Sequence, residues 1–491
     1  MERSEFYQSL FERAKAAGFS ACEAYYAAGE SFSVTVFGGE ITDYSASESR
    51  GLGFRGLVDG KMGYASTQAL DEDSIELLVK GARENARLIE CEDEQFLFAG
   101  AEEYADVCNY NPDIDQVSVA EKIGLCKSLE TMAAGMDARL RREAEASVFS
   151  ESGEVEIVNT LGLHVGHRAN IIGGYVQPVA EENGRVSSGF SLFFENDPAK
   201  IDAEKTVREA VKEAVDGLSA ASVPSGSYRV LLRNDVAAQM LRAFSGVFSA
   251  DRAQKGLSLL QGREGEKIAA ECLTIVDDPH LPGQAASTPF DGEGVPTFRK
   301  EVVSGGVLKT LLHNLKTAKK QGVSTTANAC RSGYGSPVGV APSNFCVQPS
   351  NLAFEDMLDL LGDGLLITDL QGWHAGADAV SGDFSLPARG YRVENGKIAG
   401  SVNQITLAGN FFELLKSVEA VSGDFSLPAR GYRVENGKIA GSVNQITLAG
   451  NFFALLKSVE AVGGDVKFSA PGASAFASPS LLIPALSVAG K

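Results

Sequence analysis

Histidine is the residue type to examine first, because a neutral imidazole binds zinc and transfers protons near neutral pH. The chain has five histidines, and none belongs to an HExxH or HExxxH arrangement. His164 and His167 form an HxxH pair, but they lie in a predicted strand, where side chains three residues apart point to opposite faces. The sequence also has no GxSxG elbow and no P-loop. Residue spacing therefore predicts no zinc site, serine nucleophile or nucleotide site.

Polar side chains do cluster in glycine-rich turns of the second half of the chain. One turn reads Asp291-Gly292-Glu293-Gly294, and another contains Gly372-Trp373-His374. Glycine beside a charge lets a ligand approach the backbone closely, although the same pattern is typical of solvated turns. We assign no catalytic residue and no metal ligand in this chain. The substrate-cleft candidates are Asp291, Glu293, Asn314, Asn328, His374 and Asp383.

The elements that must position these residues follow from hydrophobic periodicity and turn signals. Apolar spacing predicts helices over about 73–89, 118–136 and 203–218, with strand-like runs between them. Asn395-Gly396 marks a hairpin, because both turn positions require a positive φ. Strands grouped with only occasional helices predict an α+β fold. We expect an N-terminal α/β region with a long antiparallel sheet and a mostly antiparallel β region towards the C-terminus.

The chain has 491 residues, which is too many for a typical single domain. We predict an N-terminal α/β domain over residues 1–110 and a central strand-rich domain with flanking helices over 111–222. The serine- and proline-containing stretch Ser222–Ser227 is the best linker signal. A β-rich C-terminal domain is predicted over 227–491.

A tandem duplication lies inside the last of these domains. Residues 379–419 and 420–460 are identical except that Glu413 in the first copy corresponds to Ala454 in the second. Two units are too few for a solenoid, which needs about three. Removing one copy leaves 491 − 41 = 450 residues. We therefore expect one copy to occupy the native position in the domain.

Charge and cysteine usage exclude several classes of protein. Lys plus Arg number 44 and Asp plus Glu number 64, so the formal net charge is −20. Such a chain repels phosphate backbones, and we expect no direct nucleic-acid contact. No apolar run reaches the roughly 18 residues that a membrane-spanning helix requires. The seven cysteines contain no CxxC pair, which predicts a reducing, cytoplasmic location.

Several motifs in order resemble the TldD/PmbA family over nearly the whole chain. In the N-terminal part these are Gly51–Arg55 and Gly63–Ala65. In the C-terminal part they are TIVDD at 274–278, HLPG at 280–283, PFDGEG at 289–294, LHNLKTA at 312–318, VSGDF at 380–384, VENGKI at 393–398, ITLAGN at 405–410 and SPSLLI at 478–483. The resemblance implies a barrel-like C-terminal β domain with helices.

The resemblance also implies a function. The family contains zinc-binding TldD-type subunits, which carry HExxxH and a later Cys ligand, and PmbA/TldE-type subunits, which lack these ligands. The HExxxH positions correspond to Leu241, Arg242 and Gly246 in this chain, and the Cys position corresponds to about Gly372. The resemblance therefore implies a PmbA/TldE-type component of a cytosolic metallopeptidase that processes unstructured peptides. Zinc is then expected in a TldD-type partner and not in this chain.

Two other functions stay open from the sequence. The chain could be a non-catalytic regulatory protein of the gyrase-modulator type, acting indirectly because its charge disfavours DNA. It could also be a self-sufficient hydrolase that uses other groups. His374, close to Gly372, is the nearby side chain that could still bind a metal.

Overall fold

The computed structural model describes residues 1–90, 93–420, 434–435, 438–439, 450–451, 456–462, 465–469 and 474–490. Most of the second repeat copy lies outside these ranges. In the described residues, helices and strands are grouped into two large sheets and a barrel, which confirms the predicted α+β class. No helix among them is long and apolar enough to cross a membrane.

The first half of the chain builds one long antiparallel sheet of six strands. Its elements are α1 (Arg3–Ala16), β1 (Ala21–Phe37), β2 (Glu40–Val58), β3 (Lys61–Thr67), α2 (Glu72–Leu88), α3 (Pro112–Gln116), α4 (Val119–Met136), β4 (Glu145–Asn159), β5 (His164–Gln177), β6 (Val179–Glu182), β7 (Arg185–Ser188), β8 (Ser191–Glu195) and α5 (Ala203–Gly217). The strand order is β3-β2-β1-β4-β5-β8. Strands from before and after residue 110 therefore pair within one continuous sheet.

Local sequence explains where the covering helices begin. Asp71 caps α2, and Ser118 forms a capping box with Glu121 at the start of α4. The observed bounds of α2, α4 and α5 agree with the predicted helices at 73–89, 118–136 and 203–218 to within about two residues. The sequence also predicts a strand over Arg139–Phe149, and these bounds are wrong, because β4 begins at Glu145 and continues to Asn159.

The second half begins with a strand–helix unit and a second sheet. Its elements are β9 (Gly226–Leu232), α6 (Asn234–Phe244), α7 (Ala250–Gln254), β10 (Ile275–Asp277), β11 (Lys300–Ser304), β12 (Val307–Leu308), α8 (Leu315–Gln321), β13 (Ala329–Cys330), β14 (Gly339–Val340), β15 (Asn344–Val347), α9 (Phe354–Leu361), β16 (Gly364–Leu370) and α10 (Trp373–Gly376). Strands β10, β11, β12 and β15 belong to the second six-stranded sheet.

The C-terminal part closes a barrel. Its elements are β17 (Asp383–Glu394), β18 (Lys397–Asn410), α11 (Phe411–Leu415), β19 (Lys416–Ala420), β20 (Val434–Glu435), β21 (Lys438–Ile439), β22 (Gly450–Asn451), β23 (Leu456–Val462), β24 (Lys467–Phe468), β25 (Ala475–Ser478) and β26 (Leu481–Ala489). Strands β17, β16, β9, β26 and β18 pair in sequence, and β18 pairs back to β17. This closed five-stranded barrel confirms the expected barrel-like domain.

The first repeat copy supplies the β17–β18 hairpin and α11. Asn395 and Gly396 have φ values of 49° and 70°, so the predicted turn is confirmed. Asn410 then caps α11 by accepting the Phe412 N–H at 3.0 Å. Phe411, Phe412, Leu414 and Leu415 of this copy are buried in the core beneath the barrel. The first copy thus occupies a position in the domain, as expected for one of the two.

A loop of the second half packs directly on β2 of the first sheet. The ring of Tyr334 lies over Gly51, and a Cβ atom at Gly53 would fall 1.9 Å from the Tyr334 carbonyl oxygen. The Tyr334 hydroxyl also accepts a hydrogen bond from Gln68 at 2.9 Å. The Gly51-Leu52-Gly53 motif therefore serves close backbone approach between the two halves of the molecule.

We predict that Gly53→Ala destabilises the protein by about 1–3 kcal/mol, because the new methyl group overlaps a backbone atom that cannot move alone. Urea unfolding measures the change. Gly81→Ala in α2 is the matched control, since its Cβ would meet Ala65 Cβ at an ordinary 3.5 Å. That control should gain about 0.5–1 kcal/mol from helix propensity. Equal effects of the two variants would contradict the packing argument.

Candidate functional site

The buried Asp291 side chain stabilises the acidic turn at residues 291–294 through hydrogen bonds to backbone N–H groups. Its Oδ1 accepts the N–H groups of Glu293 at 2.9 Å and Val295 at 3.1 Å, and its Oδ2 accepts the Ala329 N–H at 3.0 Å. The side chain is 5% exposed. Burial, together with the neighbouring charge of Glu293, raises the pKa of Asp291 to about 7. The Asp291 carboxyl is therefore a structural group that titrates near neutral pH.

Glu293 connects the same turn to two other elements. Its Oε1 lies 3.3 Å from Arg55 Nη1 on β2, and its Oε2 accepts the Leu315 N–H at 2.9 Å. Leu315 is the first residue of α8, so this carboxylate satisfies a backbone donor at a helix N-terminus. Asn314 caps the same helix by accepting the Thr317 N–H at 2.9 Å. Glu293 and Asn314 thus fix the start of α8 together.

Four buried charges join the first sheet to these loops, and we call Glu23, Arg55, Glu293 and Arg331 the junction cluster. Arg55 donates to both carboxylate oxygens of Glu23, from Nε at 2.7 Å and from Nη2 at 3.1 Å. Arg331 also contacts Glu23, and its Nε donates to the Gly292 carbonyl at 2.8 Å. Burial opposes ionisation of Glu23, but the two guanidinium groups outweigh it and hold its pKa below the usual value.

A second buried polar group surrounds Asn328. Its Nδ2 donates to Asp277 Oδ2 at 2.7 Å, and its Oδ1 accepts from Lys300 Nζ at 3.2 Å. Lys300 also reaches Asp277 Oδ2 at 3.1 Å. The other oxygen of Asp277 accepts from Ser343 N and Oγ. This arrangement ties β10, β11 and β15 to the Asn328 loop.

The six predicted cleft residues therefore fall into two sets. Asp291, Glu293, Asn314 and Asn328 are at most 5% exposed and bind neighbouring main-chain or side-chain groups. His374 on α10 and Asp383 at the start of β17 are exposed. Asp383 Oδ1 accepts from Asn410 Nδ2 at 2.7 Å. Contact with a substrate remains a prediction for all six, and only the last two present a side chain to solvent.

The positions that the family resemblance assigns to the zinc motif lie on α6 and the 3₁₀ turn after it. Leu241 is buried in the core, and Arg242 is exposed. The helix ends at Phe244, so Gly246 lies in the turn, where a Cβ atom would meet the Arg252 guanidinium. Leucine and glycine provide no ligand atom, and a guanidinium is not a zinc ligand. These residues do not fit a zinc ion.

The framework around those positions is nevertheless present. Gly372, near which the resemblance predicts the Cys position, has a φ of 74° and precedes α10. The indole Nε1 of the next residue, Trp373, donates to Gln239 Oε1 on α6 at 3.2 Å. Gln239 is two residues before Leu241. The turn and the helix are thus held together, although no group of three potential metal ligands occurs in the part of the chain that the structure describes.

A separate groove of about 460 Å³ lies against β5 and contains the HxxH pair. His164 Nε2 is 2.9 Å from Glu156 Oε1, whereas the His167 ring packs edge-on against Phe290. The two histidines thus have different partners. The six predicted cleft residues do not line this groove.

Sequence reasoning missed the residues that organise the site. Glu23, Arg331, Asp277 and Lys300 were not predicted, and Arg55 was noted only within a motif. Their partners are 23 to 308 positions away along the chain. The one available signal was that Arg55 and Asp277 lie in motifs shared with the family.

The chain matches models of a known protein family over most of its length. Models of the PmbA/TldA metallopeptidase domains match at residues 22–86 (domain 1), 112–218 (central domain), and 225–423 and 417–490 (C-terminal domain). The chain belongs to the PmbA/TldD family. Two overlapping C-terminal matches reflect the duplication, since each includes one repeat copy. Metalloprotease PmbA of Escherichia coli O157:H7 is 27% identical over 79% of this chain and 84% of its own length.

Solved structures of relatives share the whole fold. A Thermotoga maritima protein described as a candidate modulator of a DNA gyrase is 31% identical, with a TM-score of 0.84 over 99% of this chain and 100% of its own. TldE from Thermococcus kodakarensis is 19% identical, with a TM-score of 0.80 over 99% and 100% of the two chains. At 19% identity, the similarity to the Thermococcus protein shows a shared fold alone.

We predict that Glu293→Gln lowers the free energy of unfolding by about 3 kcal/mol, because it leaves Arg55 buried with one fewer charged partner. Chemical denaturation provides the measurement. Glu181→Gln is the control, since its ion pair with Arg141 is nearly half exposed on both sides. That control should cost less than about 1 kcal/mol. A Glu293 variant as stable as the control would show that the junction cluster contributes little.

Asp291 should make stability depend on pH. Its folded pKa of about 7 exceeds the unfolded value of about 3.9, so the folded state binds more protons between them. The stabilisation that Asp291 contributes to the folded state is complete below pH ~4 and is lost as the pH rises through 7. Asp291→Asn removes this titration. The stability of the variant relative to the unmodified protein should rise by about 2–3 kcal/mol between pH 5 and pH 8. A stability difference that stays constant over this range would refute the titration of Asp291.

Proposed function

We propose that this chain is the zinc-free, PmbA/TldE-type subunit of a two-subunit metallopeptidase. The observation that carries the proposal is the replacement of every motif position at once, with Leu241 and Arg242 on α6, Gly246 in the 3₁₀ turn after it, and Gly372 in the facing turn. The hydrogen bond from Trp373 to Gln239 keeps that helix and turn together. Such a framework without ligands suits a subunit that shapes a chamber and leaves the chemistry to its partner.

The partner would supply the zinc and the general base. In a zinc peptidase the metal activates a water molecule and a glutamate accepts its proton. Arg242 stands where that glutamate would be, and a guanidinium cannot accept a proton at neutral pH. The role proposed for this chain is therefore to bind and orient an unstructured peptide. His374 and Asp383 are its candidate contacts, because both are exposed near the Gly372 turn.

The substrate class follows from the family and from general peptide recognition. An unstructured peptide can be held through its main chain by pairing with a strand edge. The free thiols of the described cysteines agree with a reducing cytoplasm as the location. The Thermotoga relative is named for gyrase. With a net charge of −20, we propose that any such effect of this chain passes through a peptide substrate and not through DNA.

The test is purification of the chain alone and with an HExxxH-bearing family subunit, followed by metal analysis and cleavage of an unstructured peptide. The lone chain should hold no stoichiometric zinc and cleave nothing. The pair should hold about one zinc and cleave the peptide. As a control, replacing the partner's motif glutamate by glutamine should abolish cleavage while the pair still assembles. Zinc-dependent cleavage by the lone chain would overturn the proposal.

A further inference from the structure

One long edge of the first sheet is left open. Strand β3 pairs only with Leu52–Val58 of β2, so the preceding segment Glu40–Arg50 has a strand partner on the β1 side alone among the described residues. Every residue of this segment, which we call the open edge, is exposed. Unpaired backbone groups along such an edge can bind another extended chain.

The pairing of β1 identifies the backbone groups that face outward. Val34 of β1 is paired with Tyr44, and the Val34 carbonyl accepts the Ser147 hydroxyl of β4 at 3.0 Å. Val34 therefore directs its backbone groups towards β4 and away from β2. Because pairs in an antiparallel ladder alternate between bonded and non-bonded, Tyr44 directs its own N–H and C=O away from β1. The same alternation turns the backbone groups of Ala46 and Glu48 outward.

These outward residues also share one face of the sheet. Ala46 is paired with Phe32 of β1, and Glu48 is paired with Glu30. The Tyr44 side chain is 52% exposed, and its ring packs edge-on against Phe32 with ring centroids 5.5 Å apart. This face therefore presents an apolar strip that ends at two carboxylates.

Glu30 and Glu48 form a like-charge pair. Their Cβ atoms lie about 5 Å apart, because the two residues are directly opposite on neighbouring strands. Both side chains are exposed, and neither forms an ion pair within the part of the chain that the structure describes. Directly opposed like charges destabilise a sheet. A cation placed between these carboxylates would relieve that repulsion.

A groove of about 400 Å³ lies on the same part of the sheet, beside α3 and α4. Phe32 and Ile114 of α3 contribute apolar surface to it. Lys122 of α4 also lines the groove, and its Nζ donates to Ser150 Oγ of β4 at 2.8 Å. Strand β4 is two strands from β2, which is roughly 10 Å. Lys122 is thus bonded at the β4 end of the groove, whereas Glu48 stands at the β2 end.

We propose that the open edge binds an extended basic peptide as an additional strand. The outward N–H and C=O groups of Tyr44, Ala46 and Glu48 bond the peptide main chain. One lysine or arginine side chain of the peptide lies along the apolar strip, with its charge between Glu30 and Glu48. This inference goes beyond the proposed function and is independent of it, because the site is complete in this chain and needs no zinc.

The charge of the open edge argues against a second copy of the chain as the occupant. The segment contains Glu40, Asp43 and Glu48 against Arg50 alone, and the whole chain has a net charge of −20. Pairing two such edges would bring acidic strands together and would be opposed by their repulsion. A basic peptide has the opposite charge, so long-range attraction and local contact favour the same occupant.

Fluorescence anisotropy on the full-length chain alone tests the proposal. The probe is a short fluorescein-labelled peptide in which lysine alternates with threonine, and a charge-reversed peptide carries glutamate in place of lysine. We expect saturable binding of the lysine peptide and no binding of the glutamate peptide. Equal binding of the two peptides, or no binding of either, would overturn the proposal.

Ala46→Pro tests the strand pairing without changing any charge. Proline removes an outward N–H that makes no bond to β1, and an edge position of this kind tolerates it. The variant should keep its Tm and weaken binding of the lysine peptide by at least about tenfold. A stable variant that binds as tightly as the unmodified chain would refute the added strand. A dimer in light scattering that Ala46→Pro dissociates would place a second copy at the edge and would also overturn the proposal.

The double variant Glu30→Gln/Glu48→Gln tests the carboxylate pair, and it decides the question if Ala46→Pro does not fold. It should weaken binding of the lysine peptide by about tenfold without lowering Tm, because it removes a repulsion within the sheet. Glu102→Gln/Glu103→Gln is the matched control, since it makes the same change in net charge at two exposed loop positions. That control should change binding by less than about twofold. Equal weakening by both double variants would assign the effect to net charge and contradict the site.

Discussion

The junction cluster is the interaction on which the arrangement of this molecule depends. Glu23 and Arg55 belong to neighbouring strands of the first sheet, whereas Glu293 and Arg331 belong to loops of the second half. Burying four charges costs desolvation energy, and their mutual contacts offset that cost only when all partners are present. We infer that the cluster chiefly specifies how the two halves dock, since an alternative docking would leave a buried charge without a partner.

The loops that carry this cluster also shape the surface around it. The Asp291 and Glu293 carboxylates accept hydrogen bonds from backbone N–H groups, and Glu293 also accepts from Arg55. The acidic turn is therefore a structural part of the interface between the two halves. Tyr334 can approach β2 only because residues 51 and 53 are glycine. Elsewhere, the Trp373 indole donates to Gln239 and holds the Gly372 turn against α6.

The barrel closes although the chain contains a 41-residue tandem duplication. Strand β23, which contains the end of the second copy, pairs with β26, and the five barrel strands still pair in a closed ring. Equivalent segments then lie in register beside each other, as identical sequences with the same hydrogen-bonding pattern can. Length alone indicated more than one domain, but 41 of the residues are a second copy of the sequence that forms the β17–β18 hairpin and α11.

The sequence by itself determined the α+β class, the main helices, the Asn395-Gly396 hairpin and the family. These features rest on local periodicity, turn chemistry and residue identity at matched positions, which adjacent residues encode. Only the tertiary structure decided that Asp291, Glu293, Asn314 and Asn328 are buried structural groups while His374 and Asp383 face solvent. Those environments arise from partners far away in the chain, such as Arg55 for Glu293. A residue's type does not reveal whether its charge will meet water or a buried guanidinium.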